Sequence, residues 1–122
     1  MNKFLFDLFA FCMRNTKKQD DINGIDEGID LKSNIGNIVN ESPYKLSYYF
    51  YDANCFGNVV LILEKENCWY RFIFDRGDIY FSQNPTRTET WVNQKLIGKY
   101  TEHTNLKYEL YLSEIKKFVD KK

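Results

Sequence analysis

The chain has 122 residues, enough for one domain with its own core but short for two. Seventeen Lys and Arg balance seventeen Asp and Glu, so the net basic footprint that nucleic-acid binding requires is missing. Three scattered cysteines without a CxxC pair, and His103 as the single histidine, exclude a disulfide scaffold and a Cys/His zinc site; they point to a reducing compartment, the cytoplasm.

The first expected element is an amphipathic helix over residues 1–15. Leu5, Leu8, Phe9 and Cys12 share one face at helical spacing. Asp7 interrupts the apolar run, no small-residue cleavage site follows, and the run is too short to cross a bilayer. Docking on the domain is the plain reading of that face, and anchoring at a membrane surface is the alternative.

Residues 16–43 read as an irregular acidic segment, because Gly24, Gly28 and Gly36 are spread through it with isolated isoleucines between them. Asp20, Asp21, Asp26, Glu27 and Asp30 bring five acids to a stretch without a base. A calcium loop starting at Asp21 fails, since its fifth position is Ile25 and its sixth Asp26 where a ligand and a glycine are needed.

Residues 44–84 read as a β-meander of about four strands. Leu46 to Asp52 is dense in aromatic strand formers, and Val59 to Leu63 is a continuous apolar run fit for a central strand. From Trp69 to Asp75 the pattern alternates, with Tyr70, Phe72 and Phe74 on one face and Trp69, Arg71, Ile73 and Asp75 on the other. Arg76-Gly77 supplies the next turn, and Ile79 to Ser82 the last strand. Arg71 is expected to pair with an acid on a neighbouring strand.

Residues 86–122 read as helical. Thr86 and Glu89 form a capping box before Trp91, Val92 and Leu96, with Gly98 ending that helix. Tyr108, Tyr111, Leu112, Ile115 and Val119 then mark a strongly periodic second helix. The expected architecture is a single α+β domain with helices packed on one face of the antiparallel meander.

Chemistry is poorly supplied. A thiol enzyme would need Cys55 or Cys68 beside His103, and a carboxylate enzyme would rest on Asp75 and Asp78 across the Arg76-Gly77 turn. No phosphate-binding glycine loop is present, and no cofactor is expected. Binding fits the composition better. Tyr49, Tyr51, Trp69 and Tyr80 could share one exposed face beside Arg71 and acids, as interface anchors do.

Phe56 to Ser82 opens on Phe-Gly-Asn and runs through an aliphatic strand, a charged turn and an aromatic strand to Asp75-Arg76-Gly77 and a short strand. This stretch resembles bacterial toxin-immunity proteins of contact-dependent inhibition and polymorphic toxin systems. The resemblance implies a non-enzymatic cytoplasmic protein that neutralises one cognate toxin in bacterial competition. The expected partner-binding residues are Asp75, Arg76, Asp78, Trp69, Arg71 and Tyr80, with Asp20, Asp21, Asp26, Glu27 and Asp30 as acids that could enter the basic site of a nuclease toxin. The alternative is a small-molecule or scaffold-binding domain with an aromatic pocket between sheet and helices.

Overall fold

The structure, a computed structural model, describes residues 22–85, 91–101 and 106–121, with side chains from Glu27 onward. The expected N-terminal helix, Asp20, Asp21, the Thr86/Glu89 capping box and His103 lie outside the described residues. The elements in chain order are α1 (Ile22–Asn40), β1 (Lys45–Asp52), β2 (Asn58–Lys65), β3 (Cys68–Asp75), β4 (Asp78–Asn84), β5 (Val92–Lys99) and α2 (Glu109–Asp120).

The five strands form one antiparallel sheet in the order β1-β2-β3-β4-β5, a meander in which every strand pairs with its sequence neighbours. Two short turns set the register. Glu66 and Asn67 both take positive φ between β2 and β3, and Arg76 and Gly77 do the same between β3 and β4. That is the backbone twist that two-residue hairpins favour. Leu61, Phe72 and Phe81 are thereby aligned across the three central strands.

The side chains of one sheet face meet both helices. Leu31, Ile35 and Val39 of α1 and Tyr111, Ile115 and Val119 of α2 join Val59, Leu61, Leu63, Phe72, Phe74, Ile79 and Phe81 in the main core. Each such side chain contributes about 1.5–3 kcal/mol when fully withdrawn from water. Buried hydroxyls tie the layers together: Tyr111 donates to the Phe72 carbonyl at 2.8 Å, and Tyr49 to the Gly28 carbonyl at 2.7 Å. The opposite face carries a smaller apolar cluster, Val60, Ile62 and Ile73, flanked by Phe50, Trp69, Tyr80 and Trp91.

The fold is therefore α+β as expected, with three corrections. The acidic segment is not irregular: residues 22–40 form a 19-residue helix. Its apolar positions Leu31, Ile35 and Val39 repeat every fourth residue, and burying them outweighs the low helix propensity of Gly24, Gly28 and Gly36. Second, Val92–Lys99 is a fifth strand and not a helix. Third, Tyr49 and Tyr51 do not share a face with Trp69 and Tyr80: the first two reach α1, while Trp69 and Tyr80 flank the opposite cluster. No helix among the described residues is long and apolar enough to cross a membrane.

Candidate functional site

In a meander, alternate connections return to the same end of the sheet. The β1–β2 connection and the Arg76-Gly77 turn therefore lie side by side, and Asn58 joins them. This buried side chain donates from Nδ2 to Asp75 Oδ1 at 3.0 Å, while its Oδ1 accepts the Arg76 backbone N–H at 2.8 Å. The start of α2 comes to the same place. Lys107 Nζ donates to the Phe56 carbonyl at 2.9 Å, and the Tyr108 hydroxyl to the Gly57 carbonyl at 2.6 Å. A side chain at Gly57 has no room here, because its Cβ would meet the Tyr108 hydroxyl and the Lys107 ammonium.

These ties hold two large apolar side chains in solvent. Phe56 is 65% exposed and Leu106 78%. Around them stand charges of both signs. The Arg76 guanidinium lies 5.6 Å from the Phe56 ring centroid and 3.3 Å from Asp75, and Lys107 sits 3.8 Å from Glu27. Phe56 has φ 58° and Arg76 φ 49°, a left-handed conformation that a bulky L-residue rarely adopts. Such backbone costs about 1–3 kcal/mol per residue and persists only where its surroundings impose it. A strained Phe56 beside Arg76, whose positive φ belongs to the hairpin turn, with ring and guanidinium both outward, makes this end of the sheet the candidate site.

Of the residues expected from sequence, Asp75, Arg76 and Glu27 are brought together here. Asp75 is engaged by Asn58 and Arg76, so it positions the turn and is not a free contact. Asp78 follows the turn, accepting from the Tyr80 hydroxyl at 3.4 Å and standing 4.0 Å from Lys99. Asp30 is exposed on α1, and Asp26 lies in the same helix. Phe56, Leu106 and Lys107 were not among the expected site residues. Phe56 offered one signal, a lone aromatic ahead of Gly57 in a turn segment; Leu106 and Lys107 offered none.

Trp69, Arg71 and Tyr80 belong to the opposite sheet face. Arg71 is fully buried, and among the described residues its partners are not the acid expected. Its Nε donates to Ser82 Oγ and its Nη2 to Gln94 Oε1, both at 3.0 Å, while the guanidinium lies 4.2 Å from the Trp91 ring centroid. Nη1 has no hydrogen-bond partner. Burial lowers the Arg71 pKa to about 10. Burial likewise raises the Asp52 carboxyl above its ordinary value of 3.8, against the opposing pull of the backbone N–H groups of Asn54 and Cys55.

Cys55 is buried and disulfide-bonded, so it presents no thiol, and Cys68 is a half-buried free thiol beside the β2–β3 turn. No group of three or more His, Cys, Asp or Glu among the described residues could hold a metal ion. Comparison with protein-family models, curated proteins and solved structures finds no match to this chain.

Proposed function

We propose that this chain is a non-enzymatic protein-binding domain, an immunity protein that captures and neutralises one cognate bacterial toxin in the cytoplasm. The observation that carries the reading is the exposed pair Phe56 and Arg76, 5.6 Å from guanidinium to ring centroid, with exposed Leu106 next in sequence to Lys107, which bonds the Phe56 carbonyl. Aromatic and arginine side chains near the centre of a patch, ringed by charges, are the composition of interface hot spots. The mixed charges of Glu27, Lys107, Asp75 and Arg76 suit electrostatic selection of a single partner. Co-expression with the product of the neighbouring gene tests this. A stable complex and rescued growth are expected, both lost in Leu106→Asp; no complex and no rescue would refute the proposal.

The cytoplasmic location carries its own test, because a disulfide at Cys55 is at odds with a reducing compartment. Alkylation of the denatured chain before reduction, in freshly lysed cells, decides the compartment: a labelled Cys55 supports the cytoplasmic location. Protection of Cys55 would place the protein in an oxidising compartment instead.

A second reading, a small-molecule domain, is favoured by a groove of about 290 Å3 between β5 and α2, floored by aromatic rings.

A further inference from the structure

The β5 edge does not follow its neighbour evenly. Its pairing with β4 shifts between Ile79 and Tyr80 and again between Phe81 and Gln83, and Asn93 takes φ 57°. Bulges of this kind bend a strand away from the sheet. Between the bent strand and α2 a groove is left, open on one side and floored by Phe72, Phe81, Phe118 and Ile97.

Two features of this groove point to a ligand class. Its floor is preorganised: the Phe72, Phe81 and Phe118 rings lie 5.1–5.2 Å apart, pair by pair, in tilted and edge-on contacts. Such a surface takes an apolar body at little cost in rearrangement. Its rim is positive. Lys95, Lys117 and Lys121 line it against one acid, Glu114, and that acid is already 3.5 Å from Lys117. Lys95 makes no ion pair among the described residues, and its ammonium reaches to 6.0 Å from the Phe81 ring centroid, over the floor itself. Lys121 is likewise exposed and without an ion pair among the described residues. The groove thus combines an aromatic floor with two uncommitted cations on its edge.

We infer that this groove binds small amphipathic carboxylates, the apolar body lying on Phe81 and Phe118 and the carboxylate meeting Lys95 and Lys121. The inference rests on the second reading above and is independent of toxin capture at Phe56 and Leu106. The site is small and half open, so a Kd on the order of a millimolar is expected for a single-chain acid.

The test is a titration of the isotope-labelled full chain with decanoate, and separately with decanol, below the concentrations at which either aggregates. Amide and methyl shifts of Lys95, Ile97 and Phe118 are followed. Saturable shifts confined to these residues are expected, with decanol binding at least about tenfold more weakly and decanoate weakening as salt is raised. In the surface variant Lys95→Glu/Lys121→Glu, checked for an unchanged melting temperature, decanoate affinity is expected to fall about tenfold or more while decanol is unaffected. If decanol binds in the groove as tightly as decanoate, the site exists but the carboxylate assignment is wrong. If neither ligand shifts these residues, both the assignment and the second reading fall. Loss of toxin binding in the double variant would assign the groove to the protein interface and overturn the inference.

Discussion

Phe56 stands in solvent on a backbone better suited to glycine, and the two properties separate in one substitution. Phe56→Gly relieves the left-handed strain and is expected to raise unfolding stability by about 1 kcal/mol in urea titrations. The same change is expected to weaken toxin binding by at least tenfold, since it removes the ring that Arg76 faces. A purely structural Phe56 would instead lose stability and leave binding intact. Two buried charges on the opposite sheet face give a contrasting pair. Asp52 Oδ1 accepts the Asn54 N–H at 3.1 Å, but Oδ2 is buried with no hydrogen-bond partner. Because its folded pKa is raised, the ionised form is penalised at neutral pH, and the penalty fades as pH falls toward 3.8. Asp52→Asn is therefore expected to stabilise the protein by about 1 kcal/mol at neutral pH and by nothing in strong acid. Arg71→Met is expected to be neutral or stabilising, because the guanidinium is buried without an acid and keeps only Ser82, Gln94 and the Trp91 ring. A loss above about 2 kcal/mol in urea unfolding would show that those contacts outweigh desolvation.

At the scale of elements, two of the three glycines of α1, Gly28 and Gly36, behave oppositely. A Cβ at Gly36 meets nothing within 4 Å, whereas at Gly28 it would come within 2.5 Å of the Tyr51 ring. Gly36→Ala is expected to gain close to the full helix-propensity difference, about 0.8–1 kcal/mol. Gly28→Ala is expected to lose stability despite the same propensity gain, because the ring must shift from its place beside Glu27 and Tyr108. Thermal unfolding of the two variants measures both signs. The same helix shows what could be read from sequence and what could not. Strands β2 to β4 were legible, since Val59 to Leu63 is covered on both faces and Trp69 to Asp75 alternates cleanly. Helix α1 was not: its signal sits in three buried residues, Leu31, Ile35 and Val39, while its glycines speak for a loop. Strand β5 was misread because its bulges break alternation, leaving Trp91, Val92 and Leu96 at a spacing that mimics a helix. At the site, Arg76 and Asp75 were legible from turn chemistry. Phe56, Leu106 and Lys107 meet only when the meander brings two connections and the start of α2 to one end.

For the whole molecule, the tyrosines make the core sensitive to alkali. Burial raises Tyr49, Tyr108 and Tyr111 above the ordinary value of 10, and Tyr70 rises to about 12 through its hydrogen bond with Cys68 and then burial. Groups with raised folded values contribute stability that is complete below pH 10 and lost as pH climbs through those values. Tyrosinate absorbance from these residues is expected to appear together with loss of near-ultraviolet circular dichroism, as one cooperative unfolding step. A gradual titration near pH 10 in the folded protein would contradict the burial of Tyr111 between helix and sheet. The end of the sheet carrying Phe56, Arg76 and Leu106 is the surface proposed to bind a toxin. Its most direct test is a calorimetric titration of the product of the neighbouring gene into wild-type protein, Phe56→Gly and Leu106→Asp. Tight binding by the wild type, with losses of at least tenfold in two variants that remain folded, is the expected result. Equal affinity of all three proteins, or no binding by the wild type, would contradict it.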